Sequence, residues 1–210
     1  MKKNIFLLVL PIILVNTVNT DAQGRYFRRS EPKFGFGVKA GVNLSSQSTS
    51  VSGVDYDIQN IIRYNGGGYC NYYFFNFLAV QPELMISGKG VHWKDFYDDM
   101  KDLLTYIDIP LIIKYQPARF INIQAGPQIG FRLRAMQKDL AADVKTEIND
   151  YYNFFDLGVA CGVEANLPNR INLTVRYVFG ISPATTDVLY IDPWYNNFLQ
   201  LSLGYRLRGR

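Results

Sequence analysis

Apolar residues recur at every second position along most of this chain, and that is the period of a β-strand. Phe34, Phe36, Val38, Ala40, Val42 and Leu44 share one face, while Gly35, Gly37, Lys39, Gly41 and Asn43 share the other. The split returns at 121–133, where Ile121, Ile123, Ala125, Ile129, Phe131 and Leu133 oppose Asn122, Gln124, Gln128 and Arg132. It returns again with Ile171, Leu173, Val175, Tyr177 and Phe179 against Asn172, Thr174 and Arg176. The last copy sets Leu199, Leu201, Leu203, Tyr205 and Leu207 against Gln200, Ser202, Gly204 and Arg206. Segments near 80–89, 107–115 and 157–165 repeat the pattern less cleanly, and Ile112 interrupts the polar side of the second. Residues 64–75, rich in Tyr, Gly and Phe, form a further strand whose register is hidden by Gly66-Gly67-Gly68. About eight strands follow, an even number as in single-chain bacterial barrels.

The N-terminus has a different design. Lys2 and Lys3 precede an apolar stretch over 5–15, and Thr20-Asp21-Ala22 places small residues where a signal peptidase reads them. Residues 1–22 are therefore expected to be a signal peptide cleaved before Gln23. The apolar stretch is shorter than the roughly 18 residues a spanning helix needs, and polar residues follow it. No later apolar run reaches that length either. Removing residues 1–22 takes away two lysines and one aspartate, so the formal net charge falls from +4 to +3. That mild balance argues against a nucleic-acid partner. At 48% hydrophobic and 15% aromatic residues, the chain is too apolar for intrinsic disorder.

The connections alternate in length. Short turns are predicted near 75–77, 117–119 and 168–170, and long polar loops at 45–63, 90–103, 134–153 and 182–193. Short turns at one end and long loops at the other mark an outer-membrane meander, with the turns and both termini in the periplasm. Alternation alone leaves open whether the apolar face points outward, as in a membrane barrel, or inward, as in a secreted lipid-binding barrel. A secreted sandwich is a third possibility. Three features favour the membrane. The apolar faces run for about 10 residues, enough for a tilted strand to cross. The opposite faces mix glycine with charges of both signs, which suits a narrow filled lumen. Aromatics such as Phe34, Tyr72, Phe75, Tyr115, Phe120 and Tyr205 gather near strand ends, where interfacial girdles lie. The fold expected is all-β: an antiparallel up-and-down transmembrane β-barrel of about eight strands over 34–210, preceded by a periplasmic segment at 23–33.

Individual segments also resemble a known family. Gly37-Val38-Lys39-Ala40-Gly41-Val42-Asn43-Leu44-Ser45 resembles the first strand of the PorT-like outer-membrane β-barrels of Bacteroidetes. Gln81-Pro82-Glu83-Leu84-Met85-Ile86-Ser87-Gly88-Lys89-Gly90 is similar to its third strand, and Tyr106-Ile107-Asp108-Ile109-Pro110-Leu111-Ile112-Ile113-Lys114-Tyr115 to its strongest motif. Ala125-Gly126-Pro127-Gln128-Ile129-Gly130-Phe131, Asp156-Leu157-Gly158 and Arg176-Tyr177 look like its later strands. The resemblance covers essentially the whole mature chain, and Arg208-Gly209-Arg210 extends past the usual final aromatic or apolar residue. It implies a Gram-negative outer-membrane location. It also implies a link to protein secretion, since the member that gives the name is implicated in maturation and secretion of surface proteases.

Candidate chemistry is sparse. His92 is the single histidine, in the predicted loop after the third strand with Asp95, Asp98 and Asp99 nearby. A hydrolase or acyltransferase would need it as general base, with Ser87 as a conceivable partner. The expectation favoured is a solvated loop and a protein that is not an enzyme. The aspartates lack the spacing of a calcium loop, and no cofactor or metal is expected. Cys70 and Cys161 fall in strands, and the sequence does not say whether they pair. The most informative polar residues are those predicted to point into the lumen: Lys39, Glu83, Asp108, Lys114, Arg132, Asp156, Glu164, Arg176 and Arg206. Reckoned by height above the short turns, Lys39, Glu83, Lys114, Glu164 and Arg176 should form one structural network, with Glu83 beside Lys114. A filled lumen would leave outer-membrane lipid as the certain partner and make the long loops the surface for envelope or secretion proteins.

Overall fold

A computed structural model describes residues 33–49, 58–94, 99–186 and 193–208. The predicted signal peptide, residues 23–32, Asp95, Asp98 and Arg210 lie outside the described residues. The described residues form ten strands in chain order: β1 (Lys33–Thr49), β2 (Ile58–Gln59), β3 (Ile61–Phe75), β4 (Leu78–Lys94), β5 (Asp99–Ala118), β6 (Ile121–Asp139), β7 (Lys145–Glu147), β8 (Phe155–Asn166), β9 (Ile171–Gly180) and β10 (Trp194–Arg208). Eight of them close a ring in the order β1-β3-β4-β5-β6-β8-β9-β10, every ladder antiparallel, with β10 returning to β1. The short β2 and β7 are additions on β4 and β6. Closure leaves no sheet edge, so every spanning strand is paired on both sides. No described helix is long and apolar enough to cross a membrane, and the strands do the crossing.

The two faces are the reverse of a soluble barrel. Apolar side chains point out: Ile62 is 74% exposed, and Leu84 is 60%. Polar side chains point in: Asn43, Gln81, Gln124 and Arg176 are buried. The inward-apolar alternative is thereby overturned. Burial in water would hide the apolar face, and only a hydrocarbon surround stabilises this arrangement. Outward aromatics ring the short-turn end, where Phe34 packs on Tyr72, Tyr72 on Phe74, Phe75 on Phe77 and Phe77 on Tyr115. A second set, Phe131 with Phe154 and Phe155, and Tyr177 with Phe179, sits toward the other end.

Two of the predicted long loops hold more strand among their described residues than the polarity of the sequence implies. The 90–103 segment is largely strand: Val91 pairs with Asp102, His92 with Lys101 and Lys94 with Asp99. Polar residues carry this hairpin because it continues beyond the lipid, where neither face needs to be apolar. The 134–153 segment extends β6 to Asp139, adds β7 and holds one 3-10 turn at Asn149–Tyr151. The register of β3, unreadable from sequence, is set by Lys39 opposite Gly67. At the short-turn end, Ile171 N–H donates to Pro168 O (3.4 Å) across a turn whose central residues Asn169 and Arg170 have φ of 60° and 66°. Both angles suit a type I′ turn, which strongly prefers glycine at its second central position. Arg170 holds that position at a cost of about 1 kcal/mol.

The lumen charge network as candidate functional site

The strand period places every second side chain in the lumen, and the ring brings distant strands together there. In the half nearer the short turns, Glu83 on β4 is the hub. Lys39 Nζ donates to its Oε1 at 2.8 Å, and Arg176 donates to both oxygens through Nη2 (2.8 Å) and Nη1 (3.1 Å). Gln81 Nε2 adds a fourth bond at 2.6 Å, and Gln124 Oε1 accepts from Arg176 at 2.8 Å. A second hub lies across the lumen. Lys114 Nζ donates to both oxygens of Glu164 at 2.7 Å, and Asn122 (3.0 Å) and Thr174 (3.2 Å) complete that carboxylate. All these side chains are buried.

Lys39, Glu83 and Arg176 thus meet in one group, and Lys114 meets Glu164 in another. The expected Glu83–Lys114 pair is not made. Glu83 is already occupied by Lys39 and Arg176, so Lys114 turns to Glu164 on β8. What joins the two groups is Tyr69, whose ring lies 5.2 Å from Lys39 Nζ and 5.8 Å from Lys114 Nζ. Sequence reasoning missed Tyr69 because the glycine run before it hides which face β3 presents.

Above this group one sector of the lumen is apolar, while Asn43, Asn65, Ser87 and Ser202 hydrogen-bond to one another on the side of β1, β3, β4 and β10. Ile112 packs with Ala160, Val178 and Phe198 in one buried cluster. Beyond it lies a second ionic group. Lys89 Nζ donates to Asp108 (2.9 Å) and to Asp156 (2.8 Å), with Asn196 bonding Asp156 at 3.1 Å. The Lys89 ammonium also lies 4.3 Å from the Tyr106 ring centroid. The inward lists predicted from sequence contained Asp108 and Asp156 without their cation, although strict alternation from Gln81 puts Lys89 on the same face. Arg132 lies higher still and donates to Asn149 Oδ1, while Arg206 reaches Asn166 Oδ1 at 3.2 Å near the short turns.

The long-loop end is closed by packing. Leu104, Tyr106, Ala135, Ile148, Tyr152 and Ala184 form a buried cluster, and Trp93 meets Trp194 edge-on at 4.7 Å between centroids. Asp102 accepts from Trp93 Nε1 (3.1 Å), Tyr152 Oη (2.7 Å) and Gln137 Nε2 (3.1 Å).

His92 lies on β4 beside Asp99, with Nε2 2.5 Å from Oδ1. Ser87 is buried and accepts from Asn43 at 2.9 Å. Five residues along one strand separate Ser87 from His92 by roughly 16 Å, so the structure does not bring this pair together. Among the described residues no group of His, Cys, Asp and Glu could hold a metal ion. Cys70 and Cys161 are free and point outward, on β3 and β8, which stand on opposite walls of the ring.

A family model described as "Outer membrane protein beta-barrel domain" matches residues 22–186. Among solved structures, the Neisserial surface protein A is similar, with 15% identity, 81% of this chain and 96% of that chain covered, and a TM-score of 0.51. The attachment invasion locus protein Ail of Yersinia pestis aligns with 13% identity over 85% of this chain and 100% of that one, at a TM-score of 0.49. OprG of Pseudomonas aeruginosa aligns with 10% identity over 86% and 98%, at 0.42. At these identities the first likeness concerns the fold alone. No curated protein matches the sequence.

Proposed function

On the premise that this chain belongs to the outer membrane protein beta-barrel domain family, we propose that it is a non-enzymatic, non-conducting barrel that acts as a scaffold or accessory of the cell envelope. Residues 1–22 direct export and are cleaved, 23–33 lie in the periplasm, and 34–210 form the outer-membrane domain. The long-loop end faces outward and provides the surface for an envelope partner. The PorT-like segments support a place beside protein secretion.

The observation that carries this reading is the filled lumen. Eight strands leave an interior just wide enough for side chains, and here two ionic groups, an apolar cluster, a hydrogen-bonded set of Asn and Ser side chains and a packed cap occupy it. Five of the charged groups, Lys39, Glu83, Lys114, Glu164 and Arg176, serve structure in this reading: buried ions persist only when paired and hydrogen-bonded. The rival role for His92 as a general base has Asp99 beside it, but Ser87, the partner weighed for it, is five residues away along the strand and bonded to Asn43.

The test is electrical. Purified barrel in planar bilayers should give no steady current, and the same preparation should migrate faster unboiled than boiled. A stable, large conductance from folded protein would overturn the proposal. Peptide sequencing of the envelope form should begin at Gln23.

A further inference from the structure

Among the described residues, one end of this barrel carries basic side chains without acidic ones beside them. The described residues at the short-turn end include Arg119, Arg170, Arg206 and Arg208 and no acidic side chain outside the lumen. In the lumen, four cations face four carboxylates: Lys39, Lys89, Lys114 and Arg176 against Glu83, Asp108, Asp156 and Glu164. At the other end the described residues 58–63, 90–94, 99–106, 131–153, 182–186 and 193–195 carry seven Lys/Arg against six Asp/Glu, a near balance. The chain is nearly balanced overall, yet its short-turn rim is an arginine ring.

Two apolar grooves open on the outer wall immediately beside that ring. One, of about 340 Å³, runs over Val38, Ala40, Ile171, Leu203 and Tyr205. The other, of about 530 Å³, runs over Phe36, Val38, Cys70, Pro82, Leu84 and Leu207. The second exists because β3 turns Gly66, Gly68 and Cys70 outward between the bulkier walls of β1 and β4. A Cβ at Gly68 would come no nearer than 3.7 Å to any atom, so the glycine leaves open space there. Arg170 stands between the grooves. It precedes Ile171 of the first, and its Nη1 donates to the carbonyl of Leu207 of the second at 3.3 Å. Its own carbonyl accepts from Arg206 N–H at 2.9 Å. Arg208 lies opposite Phe36, which lines the second groove. Arg170 holds this place in a backbone conformation better suited to glycine.

We propose that these grooves and arginines form a binding site for one anionic phospholipid of the periplasmic leaflet, with acyl chains in the grooves and the phosphate between Arg170 and Arg208. Apolar grooves at hydrocarbon depth take acyl chains, because no water reaches them. A basic side chain beside an anionic lipid surface contributes about 1 kcal/mol, which is roughly fivefold in affinity. A zwitterionic lipid fills the grooves equally well but gains less from the arginines. The proposal rests on the outer-membrane reading, and the heat-dependent band shift checks that reading independently of lipid retention.

The experiment reconstitutes the mature barrel into vesicles of mixed phosphatidylethanolamine and phosphatidylglycerol, re-extracts it in mild detergent and counts retained lipids by native mass spectrometry. Wild type should retain phosphatidylglycerol in preference to phosphatidylethanolamine. Arg170→Gly relieves the turn, so its thermal midpoint should hold or rise, while the preference for phosphatidylglycerol drops roughly fivefold. Arg208→Gln should act in the same direction. Gly68→Leu fills the larger groove and should lose both lipids. Cys161→Leu, on the opposite wall, should change nothing. Equal retention of the two lipids by wild type would overturn the site. An unchanged preference in Arg170→Gly, or the same loss in Cys161→Leu, would do so too. So would capture of an acidic envelope protein at this rim with no lipid retained.

Discussion

The two ionic groups in the lumen solve the same problem with opposite imbalances. The one nearer the short turns holds three cations and two carboxylates; the one beyond the apolar cluster holds one cation and two carboxylates. Each alone leaves one unit of charge over, and together they cancel. The lower group spreads its charge over redundant partners, with Glu83 holding two cations at once. The upper group has no redundancy: among the described residues Lys89 is the one cation that bonds Asp108 and Asp156. Buried charge is thus tolerated by sharing in one place and by a single keystone in the other.

Removing the keystone should have the largest effect. Lys89→Met leaves two buried carboxylates uncompensated, and the expected loss is about 3–5 kcal/mol. Urea unfolding followed by the unboiled band should show it, and a variant as stable as wild type would refute the asymmetry. Glu83→Gln removes the hub of the lower group but keeps a hydrogen-bond acceptor for Lys39 and Arg176. Its cost should be smaller, about 2–3 kcal/mol. Leu111, outward and 47% exposed, lies between Tyr115 and Ile107 on β5. Leu111→Arg should cost about 2–4 kcal/mol in lipid, whichever ionic group is intact. Double-mutant cycles sharpen the lower group. Lys114→Ala with Glu164→Ala should couple strongly, whereas Glu83→Ala with Lys114→Ala should come closer to additive, because those two are not bonded. The smallest effect belongs to Lys138 and Asp143, a pair 2.7 Å apart on the surface of the long-loop end. Lys138 holds the Asp143 carboxyl below its ordinary value, so any support exists above the ordinary aspartate range and fades as pH falls through the lowered value. Lys138→Ala should leave the unfolding midpoint unchanged at neutral pH, since solvent screens the pair.

Much of this was legible in the sequence. The faces of β1, β6, β9 and β10 follow from alternation because each residue there meets either hydrocarbon or a filled lumen, with little between. Where the sequence misled, a different physical demand had taken over. Polar residues at 90–103 read as a loop, but they extend a hairpin past the lipid, and strand pairing needs no apolar face there. Ile112 read as a flaw in the polar side of β5, yet inside the lumen it packs with Ala160, Val178 and Phe198 in a buried apolar cluster. Glu83 and Lys114 share a height above the turns, and height alone does not say which neighbour across the lumen takes each charge. That choice depends on the ring, which places β8 and β9 within reach of β4 and β5.

The ladder between β1 and β10 sets the order of assembly. Every other wall of the ring joins strands adjacent in the chain, apart from the short β2 and β7, but this one brings Gly37 to Arg206 and Leu44 to Leu199. Closing so long a loop is entropically the most costly step and comes late, after local hairpins have formed. Lys39 sits on that seam, and its carboxylate partner is on β4. Until the seam closes, water can reach the lumen charges; once it closes, they must find one another. Zipping of the seam and desolvation of the ions are therefore a single cooperative event, which makes a half-closed barrel a poor resting place on the folding route.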